Sequence, residues 1–159
     1  LPIWQAGSLV CGGWNSSPSA TMSFHRPGSY AINMGLDTDN VFRIGGWSAS
    51  ANRIQLDMSG NFTAAGNITA YSDIRLKTNI VTIKNALETV SKMRGVNFTR
   101  IDTEENGTGV IAQEMQELVP EVVMEDNDGN LSVAYGNLVG YLIEAIKELK
   151  AEIEELKGK

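Results

Sequence analysis

The sequence predicts an all-β part over residues 1–71, followed by an α+β part over residues 72–159 that ends in a long coiled-coil helix. Three observations predict this division. Residues 1–71 contain nine glycines and short alternating stretches, without a helical period. They carry three basic and three acidic residues, whereas residues 72–159 hold the other 10 of 13 basic and 16 of 19 acidic residues, and so the whole net charge of −6. Near the C-terminus, apolar residues alternate three and four apart, which is typical of a coiled-coil helix.

Composition and charge argue against several kinds of protein. No basic stripe is present that could displace the counterions of a phosphate backbone, so nucleic acid is not an expected partner. No apolar run approaches the roughly 20 residues needed to cross a bilayer, so membrane insertion is not expected. Cys11 is the only cysteine, and His25 has no second ligand at metal spacing. We therefore expect no internal disulfide, no metal and no cofactor. Because the sequence starts without methionine, we expect a fragment of a longer protein.

The first part is predicted to consist of short strands. Apolar and polar residues alternate at 20–24, 30–34, 40–44 and 53–58, and each stretch is bounded by Gly, Pro, Asn or Asp. A further strand–turn–strand is expected over 58–69. The tripeptide Gly-Gly-Trp occurs at 12–14 and again at 45–47, which suggests a repeated β unit.

Bulky apolar residues are few in this first part, so one chain alone would bury little of it. We therefore expect a core that is shared between chains, as in intertwined β-structure of a homotrimer. The tryptophans Trp4, Trp14 and Trp47 fit the core of such a thin structure. Exposed tryptophans could instead stack on sugar rings, because aromatic faces suit such contacts.

The second part mixes helices and strands. Apolar spacing predicts a helix over 83–93, with Thr82 as its N-cap and Gly95 after its end. The remaining pattern predicts a strand at 96–101, a turn at Asn106-Gly107, a strand and a helix over 109–119 ended by Pro120, and a hairpin with strands at 121–124 and 131–134.

The loop of that hairpin has acidic residues that could suggest a calcium site. A calcium loop that starts at Asp126 needs Gly at its sixth position and Glu at its twelfth. Those positions hold Leu131 and Asn137. The sequence therefore predicts a plain turn.

The final helix carries an apolar seam that consists of Val139, Leu142, Ile146, Leu149, Ile153 and Leu156. Tyr135 extends the same register backward by four residues. A helix packed on its own domain would explain the first two turns, but residues 147–159 have nothing downstream to pack against. The seam thus predicts self-association through a short coiled coil. Ile or Val at a with Leu at d favours two strands, which conflicts with a trimer.

The junction between the two parts carries candidate catalytic residues. Ser72 offers a hydroxyl nucleophile, and Lys77 offers an amine as its base. The nearest scissile carbonyl belongs to Tyr71, so this pair would cut the chain between Tyr71 and Ser72. For an isolated Ser-Asp-x-x-x-Lys pattern, a simpler interpretation is that Ser72 and Asp73 cap a turn and Lys77 is solvated.

Three blocks of the second part together resemble one protein family. They are SDIRLK at 72–77, GVIAQEMQELVPE at 109–121 and YGNLVGYLIEAIKEL at 135–149. The family is the C-terminal intramolecular chaperone domain of phage tailspikes and tail fibres, which is classed as a self-cleaving peptidase. The resemblance spans essentially all of 72–159. Residues 1–71 are similar to the tip of the L-shaped tail fibre of a coliphage.

This resemblance implies a homotrimer whose chaperone domain aligns the three chains as they fold and is then released by cleavage before the serine. The family's serine and lysine fall on Ser72 and Lys77, so the resemblance implies a self-cleaving serine endopeptidase with a Ser-Lys dyad. The mature part would belong to the tail fibre of the virion and would bind a host cell-surface polysaccharide. The chaperone domain would be released in the host cytoplasm during assembly.

The dyad needs a particular environment. An ordinary lysine has a pKa of about 10.4 and is protonated near neutral pH. Lys77 can therefore act as a base only if trimer assembly buries it or brings cations close, and Arg75 is a candidate cation. On a regular helix, residues five apart point about 140° away from each other. Ser72 and Lys77 must therefore meet through a turn or across a subunit boundary, while Asp73 either orients Lys77 or caps a turn.

Two other functions remain open from the sequence. One is a receptor-binding fibre tip without any reaction, in which the second part is a permanent trimerisation clamp. The other is a glycan-degrading enzyme in residues 1–71. Such an enzyme needs paired carboxylates on either side of a cleft, and only Asp37, Asp39 and Asp57 are available.

Overall fold

The computed structural model describes residues 19–50 and 52–159, and the chain divides into two compact units, Leu1–Ser72 and Asp73–Lys159. This boundary lies one residue from the predicted one. Trp4, Cys11, Trp14 and the first Gly-Gly-Trp copy lie outside the described residues, so the predicted repeat and the roles of those tryptophans stay predictions. Each unit is described by itself below.

The described part of the first unit forms a five-stranded antiparallel sheet, in which neighbouring strands follow one another along the chain. Its strands are β1 (Ala20–Arg26), β2 (Tyr30–Leu36), β3 (Phe42–Gly45), β4 (Ile54–Leu56) and β5 (Phe62–Ala64). Each of the strands β1 to β4 overlaps one of the four alternating stretches. Within the predicted strand–turn–strand over 58–69, β5 is present, but residues 65–69 form no strand.

This sheet buries little apolar surface within the part of the unit that is described. Ala31 is buried, but most large apolar side chains are at least one-third exposed, including Phe24, Trp47 and Phe62. The sequence predicts that a single chain buries little here, and the described strands agree with that prediction. A core shared between chains remains a prediction.

Two hairpins, one in each unit, use the same turn. Asp57 Oδ1 accepts a hydrogen bond from the backbone N–H of Asn61 at 2.9 Å, and Asp126 Oδ1 accepts one from that of Asn130 at 2.8 Å. A glycine precedes each asparagine and takes a left-handed conformation, with φ of 83° at Gly60 and 82° at Gly129. In each turn, hydrogen bonds from the asparagine side chain and backbone lower the pKa of the aspartate. The acidic loop at 126–130 is thus a turn, as predicted.

The second unit has an α+β fold, which confirms the predicted class. Its helices are α1 (Ala86–Lys92), α2 (Ala112–Leu118) and α3 (Val139–Lys157). Its strands form two antiparallel pairs: β6 (Val96–Thr99) with β7 (Asn106–Gly109), and β8 (Val123–Glu125) with β9 (Leu131–Val133). Short 3₁₀ turns occur at Ile74–Leu76, Pro120–Val122 and Tyr135–Leu138.

Three local predictions for this unit are wrong. Helix α1 begins at Ala86 after Asn85 and not at residue 83 after Thr82. Asn106-Gly107 is not a turn but the start of β7, because the chain reverses earlier, where the Arg100 N–H donates to the Glu105 carbonyl at 2.9 Å. The predicted helical register does not extend back to Tyr135, because a 3₁₀ turn precedes α3 and the Tyr135 hydroxyl accepts a hydrogen bond from the Val110 N–H.

The core of the second unit is centred on α2 and the turn that follows it. Met115, Val119 and Val122 are buried, and partly buried apolar side chains from α3, β8 and β9 pack against them. Met115 lies in α2, and Val119 is the residue directly after the helix, where its backbone N–H still donates to the Met115 carbonyl. Pro120 ends the helix and turns Val122 into the same cluster.

Truncation of this core is expected to destabilise the unit. Met115 is 1% exposed, and Met115→Ala is expected to lower the free energy of unfolding by about 2–5 kcal/mol, since it leaves a cavity. Met124 is 58% exposed, so Met124→Ala is the matched control and is expected to change it by less than about 0.5 kcal/mol. Denaturant unfolding at one protein concentration measures both. Equal losses for the two variants would contradict the assigned core.

Candidate active site

The segment from Ser72 to Lys77 contains a single 3₁₀ turn, Ile74–Leu76. Asp73 precedes the turn, and its Oδ1 accepts a hydrogen bond from the Arg75 backbone N–H at 2.8 Å. Lys77 follows in extended conformation, and its backbone N–H donates to the Ile74 carbonyl at 3.1 Å. A tight turn, and not a regular helix, therefore connects the two predicted dyad residues within one chain.

The Asp73 carboxylate also forms an ion pair with the Arg75 guanidinium. Arg75 Nε donates to Oδ1 at 3.0 Å, and Nη2 donates to Oδ2 at 2.6 Å. The hydrogen bonds from Arg75 lower the pKa of Asp73, and those to Asp73 raise the pKa of Arg75. The sequence left two roles open for Asp73, and in the structure Asp73 caps the turn. Because Asp73 neutralises Arg75, that arginine is a weaker cation for Lys77 than the sequence suggests.

The junction is open to solvent in the single chain. Tyr71 is 94% exposed, and both Ser72 and Lys77 are exposed. Four further apolar side chains on the C-terminal side are at least 62% exposed: Ile74, Leu76, Ile80 and Val81. Exposed apolar residues at this density are typical of a surface that another chain covers.

Helix α3 presents two different sides. One side packs on α1, and Ala145 of α3 and Ala86 of α1 are both buried. The six residues of the apolar seam are 42–71% exposed. The seam is therefore available for self-association, although α3 is also packed on its own unit.

The carboxylates considered for a glycan-degrading enzyme are engaged elsewhere. Asp37 and Asp39 both accept hydrogen bonds from Arg43, at 3.1 and 2.6 Å. The side-chain hydrogen bond from Arg43 lowers the pKa of Asp39 to about 2. Asp57 is held in its turn. This arrangement is an ion pair on a sheet surface, and it does not place two carboxylates across a cleft.

Trp47 is the described tryptophan that could contact a sugar. It is 63% exposed, and its ring lies 4.8 Å from that of His25 at an interplanar angle of 31°. Its φ of 57° is uncommon for a bulky side chain. The exposed Trp47 ring could stack on a sugar, but exposure alone is not evidence that it does. Sugar binding therefore stays a prediction.

Over residues 19–50 and 52–159, no group of three or more His, Cys, Asp or Glu residues has a geometry that could hold a metal ion. None of the described helices combines the length and the apolar character that a bilayer crossing requires.

Part of the second unit is similar to a known protein family. Residues 72–124 match the peptidase family S74, described as chaperone of endosialidase. The chain is also 38% identical over 104 residues to long tail fiber protein Gp37 of Enterobacteria phage K3 and to that of Enterobacteria phage T2. Each match covers 60% of this chain and 8% of the relative. Long tail fiber protein Gp37 of Enterobacteria phage Ox2 is 30% identical over 109 residues, which cover 62% of this chain and 42% of that protein.

The family match begins at residue 72, where the two units meet. The chain spans only a small part of the length of the first two relatives. Residues 72–124 are thus similar to the chaperone of endosialidase family, and the chain is similar to part of phage long tail fiber proteins.

Proposed function

We propose that this chain is the C-terminal part of a phage tail fibre, and that its chaperone domain drives trimerisation and then releases itself by cutting between Tyr71 and Ser72. The observation that carries the proposal is the coincidence of three positions. The family match, the change of unit and the candidate nucleophile all fall at residues 72–73. A cut at this point would separate the units without breaking a helix or strand of either.

The proposed reaction starts with attack of Ser72 Oγ on the carbonyl carbon of Tyr71. The Lys77 amine takes the hydroxyl proton and passes it to the Ser72 amide nitrogen as the C–N bond breaks. The product is an ester between Tyr71 and Ser72 Oγ, with a free α-amine on Ser72. Water then hydrolyses the ester, which gives a Tyr71 carboxylate and restores the Ser72 hydroxyl.

Assembly supplies the condition for this reaction. The side chains of the dyad and of its apolar neighbours are exposed in the single chain, so water reaches the dyad before assembly. Association through the apolar seam of α3 would bring three junctions together. Exclusion of water by the apolar side chains around the dyad would favour the neutral form of a lysine there.

The mature part has its own proposed role. After release of the chaperone domain, residues before Ser72 would remain on the tail fibre of the virion as a homotrimeric tip. Its partner would be a host cell-surface polysaccharide, and exposed aromatic side chains such as Trp47 support that class of ligand. The chaperone domain would stay behind in the host cytoplasm.

Replacement of the nucleophile tests the proposal directly. The assembled chain is expected to yield fragments of 71 and 88 residues, whereas Ser72→Ala is expected to give one species of 159 residues. Intact mass spectrometry of both proteins measures this. Ser59→Ala, at an exposed turn, is the control and is expected to be cut normally.

The same experiment addresses the alternative function. A receptor-binding tip with a permanent clamp predicts an intact chain for the unmodified protein as well. If the assembled unmodified protein stays intact, that alternative replaces the proposal.

A further inference from the structure

The start of helix α1 is capped by a residue that lies far along the chain. Glu148, in α3, accepts hydrogen bonds from the backbone N–H groups of Ala86 at 3.1 Å and Leu87 at 2.8 Å. The first N–H groups of a helix have no partner within it, and a carboxylate there also interacts favourably with the helix dipole. Asn85, at the N-cap position, makes no side-chain cap bond and has a left-handed φ of 55°. Glu148 therefore takes the place of a local cap.

A second contact fixes the same stretch to α3. The Ile83 side chain lies against Gly140, so closely that a Cβ on that glycine would be 3.3 Å from Ile83 Cδ1. Ala86 is fully buried at this interface. Residues 83–87 are thus attached to α3 at two points, one apolar and one charged.

This attachment lies close in sequence to the candidate dyad. Only five residues separate Lys77 from Ile83, and Lys77 itself ends the 3₁₀ turn that begins after Asp73. The position of the Lys77 backbone is therefore limited at one end by the turn and at the other by the attachment to α3.

Glu148 also lies off the apolar seam. It precedes Leu149 by one residue, which places it about 100° around the helix axis, on the side that faces α1. A substitution at Glu148 can therefore alter the attachment of α1 without placing a new group in the seam.

We propose that Glu148 is a positioning residue, which transmits the packing of α3 to the segment that carries Lys77. The inference rests on the proposed self-cleavage. Association of the seam fixes α3, Glu148 fixes the start of α1 on α3, and the short segment that precedes α1 then holds Lys77 in place for Ser72. If this cap is lost, the trimer should still assemble, but its cleavage should be slower.

Glu148→Gln tests the inference, because glutamine has nearly the same size but offers one acceptor and no charge. We expect the trimer to persist and the cleavage rate to fall about tenfold to a hundredfold, the range that small misplacements of reacting groups cause. Glu148→Asp, which keeps the carboxylate on a shorter side chain, is expected to cleave at an intermediate rate. Glu154→Gln is the control, because Glu154 is exposed and lies about 120° around the α3 axis from Glu148, and it is expected to cleave at the unmodified rate.

Hydrogen exchange gives a readout that a general loss of packing would not produce. In proteins that also carry Ser72→Ala, Glu148→Gln is expected to speed exchange at the amides of Ala86 and Leu87, while α3 exchanges as before. Normal cleavage by Glu148→Gln, or loss of the trimer together with cleavage, would overturn the inference. An unmodified protein that never cuts would instead overturn the proposed self-cleavage, so the two failures are distinguishable.

Discussion

Lys77→Met is expected to leave an assembled trimer that does not cut itself. Methionine approximates the length of the lysine side chain but has no amine to take the proton of Ser72. General bases contribute about 10²–10⁴-fold to reaction rates, so cleavage should slow by at least that factor. The time course of fragment appearance on denaturing gels measures the rate, and light scattering of the native protein verifies the trimer.

Lys84→Met is the matched control, since Lys84 is exposed and lies seven residues further along. It is expected to cut at the unmodified rate. If Lys77→Met also cuts at that rate while Ser72→Ala does not, another group serves as the base, and the assigned dyad is wrong.

Leu149→Glu is expected to abolish both assembly and cleavage. Leu149 lies in the middle of the seam, and assembly would bury one copy of the new charge for each chain. An uncompensated buried charge costs about 3–5 kcal/mol, and the symmetry of a trimer repeats that cost three times. Sedimentation or light scattering measures the mass, and denaturing gels measure the cut.

Ala151→Glu introduces the same side chain on the opposite side of α3, where the residue is exposed. It is expected to assemble and to cut normally. A Leu149→Glu monomer that still cuts would show that cleavage does not depend on assembly.

These two substitutions separate the two steps of the proposal. Lys77→Met is expected to give an uncut trimer, and Leu149→Glu an uncut monomer. The mass of the unmodified assembly also shows whether it contains two or three chains. The residue types of the seam favour two, whereas the family resemblance implies three.

Sequence alone determined the features that depend on neighbours along the chain. Alternation located strands β1 to β4, and the three-and-four spacing located α3. The turn at 126–130 was also predictable, because Asp126 and Asn130 bond to each other within five residues. Three blocks of residues pointed to the chaperone family without any knowledge of the fold, and the family match covers the first two of them.

The tertiary structure decided the features that depend on distant residues. Thr82 was the best local cap for α1, yet the helix begins at Ala86, because Glu148 supplies the cap from 61 and 62 residues away. No local pattern contains that information. The role of Asp73 was a separate, local question, because the sequence allowed Asp73 either to orient Lys77 or to cap a turn. In the structure Asp73 caps the 3₁₀ turn and pairs with the Arg75 guanidinium.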